Sequence, residues 1–142
     1  MTKAQTDAVV ARIQSVPALA SKTFKLVAPR DGQGKLPVAP YVVVQPSDGT
    51  SSQERLTGGR STAHPRYVIH CVGSSYDNAQ TVFELVRAQF VTVTGFGLPL
   101  VVPGEMARNT HFESSLPVQV DNDVAPPIIY ATGELTWDAD PS

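Results

Sequence analysis

The amino-acid sequence predicts an α+β domain. It would be a mixed, mainly antiparallel sheet of four to six strands with two main helices packed on one face, and with a long projecting loop or hairpin. Three observations lead there. Two segments, one near the N-terminus and one at the centre, repeat apolar residues at helical spacing. Several short runs are β-branched or alternate with a period of two. These pieces follow one another as helix, strands, helix, strands, which segregates the helices from the strands rather than alternating them. The 142-residue length suits one domain, here residues 1–137, with a loose acidic tail at 138–142.

Taken in order, Thr2 and Gln5 stand at capping-box spacing. Val9, Ile13 and Val16 then fall on one helical face, and Pro17, which cannot donate a backbone hydrogen bond, ends the helix. Thr23–Val27 alternates weakly and stops at Pro29; Arg30–Pro40 reads as a loop. Tyr41–Val44 is a β-branched run of the kind buried on both faces, with Pro46 expected to close it. Ser47–Pro65 is the longest polar stretch, and reads either as a functional loop or as an extended hairpin. From Arg66 to Val72 a strand returns, with Tyr67, Ile69 and Cys71 on one face and Val68, His70 and Val72 on the other.

Gly73 breaks that strand. Ser74 or Ser75 caps the next helix, Asp77 suits its first turn, and Ala79, Val82, Phe83, Val86 and Phe90 mark its buried face. Val91–Thr94 and Leu98–Val102 are candidate strands, and 103–127 reads as mostly irregular apart from a brief pairing at Leu116–Val120. Ile128–Trp137 forms the last strand, with Ile129, Ala131, Leu135 and Trp137 on one side.

Composition narrows the functional classes. No apolar run approaches the roughly 18 residues of a membrane span, and the N-terminal stretch lacks the basic-then-apolar plan of a secretory signal. A single cysteine, Cys71, excludes a disulfide framework within one chain and a multi-cysteine zinc site. Charged residues are 17% of the chain, where about 25% is usual, so either the loops are polar without charge or neighbours cover part of the surface. The net charge of −2 hides an asymmetry. Residues 1–66 carry nine Lys and Arg against four Asp and Glu, whereas 67–142 carry two against nine. Opposite-sign halves favour a head-to-tail meeting of copies, and the slight acidity argues against gripping nucleic acid as the main task.

Catalytic chemistry is hard to find. His70 and Cys71 are strand neighbours, so their side chains diverge and cannot form a dyad. Cys71 reads as a small core residue, while His64 and His111 fall in segments read as loops. Asp121 and Asp123 would make half a calcium site, but no Glu completes the loop. Gly95-Phe96-Gly97 is too short for a phosphate-binding loop, and no serine has a nucleophile-elbow setting. The expectation is a non-enzyme without cofactor or metal.

Four pieces in their order resemble the tail terminator proteins of long-tailed, siphovirus-type bacteriophages, the family of minor tail protein U. They are the Pro40–Val44 strand after an N-terminal helix, Arg55-Leu56-Thr57-Gly58 in the Gly/Ser-rich stretch, Val72-Gly73-Ser74-Ser75 leading into the Asn78-Ala79-Gln80 helix, and the acidic, double-proline run Val120–Tyr130. Phe96–Val118 departs from the family by being longer and less charged. The resemblance implies a structural virion protein at the head–tail junction, assembled in the cytoplasm of the bacterial host. A ring of six copies would sit on the head-proximal end of the tail tube, stop its growth and offer a docking surface to the connector or stopper protein of the neck. DNA would pass through the lumen without sequence-specific binding, and no membrane would be involved. Contacts between subunits or with partners would fall to Arg55, Leu56 and Arg60 on the polar stretch, answered by Asp121 or Asp123 of a neighbour. The alternatives are another neck protein, such as a head–tail adaptor or head-completion protein, and a small cytoplasmic enzyme using His70 or His111.

Overall fold

A computed structural model describes residues 2–53, 61–123 and 127–141. The first helix, α1 (Lys3–Gln14), starts at the expected capping box. The Gln5 amide donates to the Thr2 hydroxyl at 3.1 Å, and the Thr2 amide donates to the Gln5 side chain at 3.0 Å. Two N–H groups that the helix itself leaves without partners are thereby satisfied. Val9 and Ile13 are completely buried, and Pro17 opens a single 3-10 turn, Pro17–Leu19, that buries Leu19.

The strands are β1 (Thr23–Lys25), β2 (Tyr41–Gln53), β3 (Ser61–Gly73), β4 (Glu105–Asp121) and β5 (Ile128–Pro141), with α2 (Tyr76–Arg87) between β3 and β4. Their order across the sheet is β1-β2-β3-β5-β4. β1 runs parallel to β2, and every other pair is antiparallel. This is the α+β architecture the sequence predicts, with both helices on one face. That face carries Val42, Val44, Tyr67, Ile69, Cys71, Ala131, Leu135, Trp137 and Ala139, which share one core with Val9 and Ile13 of α1 and with Val82, Phe83 and Val86 of α2. Burying each large apolar side chain of α2 is worth about 1.5–3 kcal/mol, far more than the helix gains from propensity. Ser75 is the cap of α2; its hydroxyl accepts from the Asn78 amide at 3.1 Å.

The opposite face is mostly polar. Its one apolar patch gathers Tyr41, Val43 and Val72, covered in part by Phe24, Ala28, Ala39, Ile128 and Tyr130. All four residues of Tyr41–Val44 are therefore buried, as a two-sided strand requires.

Four expectations are corrected. Pro46 does not close β2, which continues to Gln53. The Val42 amide and the Val44 carbonyl both bond toward β1, so even-numbered backbone groups face that side. At Pro46 β1 has already ended, and the missing N–H falls on an open edge where nothing needs it. The stretch Ser47–Pro65 is accordingly the hairpin alternative: β2 and β3 pair out to Gln53 and Ser61.

Val91–Thr94 and Leu98–Val102 form no strands; a lone bridge joins Val91 to Gly97. The region read as irregular contains instead the longest strand, β4, of 17 residues. Its alternation is scrambled by three register shifts and by exposure along an edge. Last, the expected loose tail at 138–142 is strand as far as Pro141, with Ala139 buried.

Gly133 of β5 shows how tightly β4 closes the core. A Cβ there would stand 2.3 Å from the tip of the Phe112 ring, which lies on the bare backbone of β5. Phe112 is in turn held between Phe83 at 5.2 Å and Phe90 at 5.9 Å. Gly133→Ala is therefore expected to destabilise the fold by about 1–3 kcal/mol, the usual cost of overpacking. Urea unfolding monitored by Trp137 fluorescence measures it, and an unchanged midpoint would show that the ring moves aside freely.

Candidate functional site

The sheet has two chemically different ends. At the end where the β2–β3 hairpin projects, the polar face carries a ladder of side chains across β3, β5 and β4. His64 Nδ1 lies 2.8 Å from Asp138 Oδ1, and the Asn109 amide donates to the other oxygen of Asp138 at 2.8 Å. Arg108 Nε donates to Asp140 at 2.6 Å, as does the Thr62 hydroxyl at 2.6 Å. Arg66 pairs with Glu134 at 2.9 Å. Asn109 reaches Asp138 because β4 bulges there: Asn109 takes φ 55°, a left-handed conformation that asparagine tolerates. Exposed ion pairs of this kind add little each, but they fix the register of three strands.

These side chains surround a shallow cavity of about 420 Å³, lined by His64, Arg66, Asn109, His111, Thr136 and Asp138, with Trp137. His64 and His111 thus sit on strands rather than in loops. A carboxylate orienting an imidazole is the pair that acid–base chemistry uses, and the hydroxyl lining this cavity is that of Thr136. Sequence reasoning missed the His64–Asp138 pair because each residue was assigned to an unstructured segment. One signal pointed to it: the alternation Leu135, Trp137, Ala139 continues past Trp137 and keeps Asp138 and Asp140 on the other face.

His70 and Cys71 do diverge. His70 lies on the polar face, with Nδ1 3.1 Å from the Thr132 hydroxyl and Nε2 3.1 Å from Gln45 Oε1. Burial lowers its pKa and keeps the ring neutral. Cys71 is wholly buried in the core, and burial pushes its thiol well above the ordinary range. Among the described residues no group of three or more His, Cys, Asp or Glu is placed to hold a metal ion. No helix among them is long and apolar enough to cross a membrane.

At the opposite end of the sheet lie the acidic residues the sequence singled out. Asp121 closes β4 opposite Ile128, and its Oδ1 accepts the Asp123 amide at 2.9 Å in a tight turn. Asp123, with Arg30 and Lys35 of the 26–40 segment, borders a cavity of about 690 Å³ whose apolar lining includes Leu36, Val38 and Ile128. Arg55, Leu56 and Arg60 lie outside the described residues. The 13 residues of β2, at about 3.3 Å each, put the hairpin end of the sheet about 40 Å from the Asp121 turn. Within one chain, then, the hairpin end cannot meet Asp121 or Asp123.

No protein-family model matches the chain, and no curated protein matches it. Among solved structures it is similar to a chain of the virion of a native gene transfer agent particle. The TM-score is 0.65 at 17% identity, over 94% of this chain and 92% of that one. The two share a fold along nearly their whole length.

The polar face predicts a two-stage loss of stability in acid. The pKa of His70 is depressed, so its contribution is complete above the unfolded value of 6.5 and begins to fall as the pH drops through it. Three carboxylates are also depressed. Asp7 is held at about 2, chiefly by Lys25 and then Lys3; Asp138 is lowered first by Asn109, and Asp140 first by Arg108. Their contribution is complete above 3.8 and is lost as the pH falls through the lowered values. Chemical unfolding from pH 8 to pH 2 should show both stages. His70→Gln should remove the upper one and leave the lower one; a profile that the substitution does not alter would show that His70 contributes nothing.

Proposed function

We propose that this chain is a structural protein of a phage-like virion, and specifically a tail terminator: a ring, of six copies in the family it resembles, on the head-proximal end of a tail tube. The observation that carries the reading is the shared fold with a chain of a gene transfer agent virion over 94% of the residues. Four motifs in their order point from that broad class to the terminator. The low charge of 17% suits a surface largely used by neighbours. The ring ends tube polymerisation and meets the connector or stopper protein of the neck, while DNA passes through its lumen.

The roughly 40 Å between the two ends of the sheet gives the ring contact a direction. Arg55, Leu56 and Arg60 of one copy reach Asp121 or Asp123 of the next, a head-to-tail contact that closes into a ring when the rotation between copies closes. Neither Asp121 nor Asp123 forms an ion pair with another described residue, which leaves both carboxylates available to a guanidinium.

Two experiments test this. Electron microscopy of particles with the chain labelled should place the label at the head-proximal end of the tail. A label elsewhere in the neck would assign the chain to a head–tail adaptor or head-completion role, and a label absent from the particle would end the virion reading. For the contact, Arg55→Glu with Arg60→Glu should weaken association by about 0.2–1 kcal/mol per pair, and adding Asp121→Lys with Asp123→Lys should restore it. Sedimentation measures both. If the doubly reversed chain assembles no better than the singly reversed one, the two ends do not meet.

A further inference from the structure

The segment between α2 and β4 is built as a rigid apolar knob. Thr92–Phe96 is a closed turn: the Thr92 amide donates to the Phe96 carbonyl at 2.7 Å, and the Gly95 amide to the Thr92 carbonyl at 2.9 Å. The Phe96 amide donates to the Thr92 hydroxyl at 3.0 Å. Gly95 takes φ 92°, which the turn needs and a side chain would resist. The turn is seated on the sheet by Gly97, where a Cβ would come within 2.2 Å of the Thr110 carbonyl oxygen. Beyond it, Leu100 and Val102 are buried and pin the chain on either side of Val101.

What this scaffold presents outward is apolar. Val93 is fully exposed, Phe96 is 73% exposed and Val101 84%. A loop with no task beyond connection would have polar residues here; this one holds three large apolar side chains fixed in water.

A matching groove lies beside the other end of α2. Three register shifts lift β4 away from β5, and between Ser114–Val118 and α2 they open a groove of about 440 Å³. Phe83 and Ala131 line it, with Tyr76 and Leu116, which are 58% and 46% exposed. The knob follows the C-terminal end of α2 and Tyr76 begins the helix, so about 18 Å of helix separates Tyr76 from the knob. One copy therefore cannot fill its own groove.

Charge follows the same direction. Asp77 and Glu84 are exposed on the flank of α2 next to the groove, and neither forms an ion pair with another described residue. At the knob end stand Arg87 and Arg12, the latter tied to the carbonyls of Gln89 and Pro99 at 3.0 and 2.8 Å rather than to a carboxylate. The groove end offers unpaired acids, and the knob end offers unpaired bases.

We propose that the Val93–Phe96–Val101 knob of one copy seats in the Tyr76–Leu116 groove of the next, as a heterologous contact between copies of this chain. The inference rests on the ring reading for its biological setting, but on the complementarity of knob and groove for its geometry. Because the knob is ordered before contact, little conformational entropy is lost on docking. The buried aromatic is the anchor.

The test uses two exposed substitutions in the full chain, Phe96→Asp to spoil the knob and Leu116→Asp to spoil the groove. Sedimentation and native mass spectrometry should find the unaltered chain in species larger than dimers. Each variant should dissociate about tenfold or more readily, as the loss of an anchor predicts. Mixed in equal amounts, the two should form one-to-one dimers that grow no further, since a single intact knob meets a single intact groove. Phe96→Ser and Leu116→Ser, with melting curves, separate lost contact from lost folding. Variants that assemble like the unaltered chain would overturn the contact and leave the ring reading standing. Variants that each dimerise alone would show a two-fold interface and overturn it as well. An unaltered chain that stays monomeric at millimolar concentration overturns the contact, and the ring then stands or falls on the labelled particle.

Discussion

The whole structure depends on β5 being enclosed on both edges, by β3 and by β4. Its inward residues, Ala131, Gly133, Leu135, Trp137 and Ala139, form the platform on which the core is laid. Trp137 stacks on Tyr67 at 5.6 Å and nearly parallel, and the Tyr67 hydroxyl lies 2.9 Å from that of Thr6, so one line of contacts runs from β5 through β3 to α1. Phe112 over Gly133 runs a second line from β5 through β4 to Phe83 and Phe90. Each helix is therefore attached to the same strand by a different aromatic bridge, and packing at native density leaves neither bridge free to shift alone.

Because both helices cover one face, the other face is left to polar chemistry, and that chemistry is distributed unevenly. At the hairpin end nearly every acid has a partner across the strands: Asp138 with His64 and Asn109, Asp140 with Arg108 and Thr62, Glu134 with Arg66. At the other end Asp121 and Asp123 form no ion pair with described residues. The contrast matters for assembly. Charges already paired within the chain gain little from a neighbour, whereas exposed unpaired ones attract it and set its orientation. The unpaired acids beside the groove and the unpaired bases beside the knob obey the same rule, and both sets imply the same head-to-tail sense.

The fixed turn at Thr92–Phe96 connects the fold to this assembly. It exists because Gly97 can lie directly on the β4 backbone at Thr110 and because Gly95 accepts a left-handed φ. Neither glycine binds anything. Together they hold Val93 and Phe96 at one place on the surface, which is the condition for a small apolar patch to act as an anchor.

Read alone, the amino-acid sequence determined whatever depends on near neighbours along the chain. The capping boxes and caps at Thr2 and Ser75, the buried stripe of α2, the two-sided run Tyr41–Val44 and the divergence of His70 from Cys71 all follow from spacing within a few residues. Tertiary structure decided the rest. Pro46 lies within a strand because β1 happens to end beside it, a fact about another segment. β4 is a strand because β5 supplies the pairing that its own broken alternation cannot announce. Asp138 and Asp140 are ordered because Asn109, Arg108 and Thr62 come to meet them from distant positions. Edge strands, bulges and cross-strand ion pairs are made by partners remote in sequence, and periodicity within a segment carries no record of what will lie beside it.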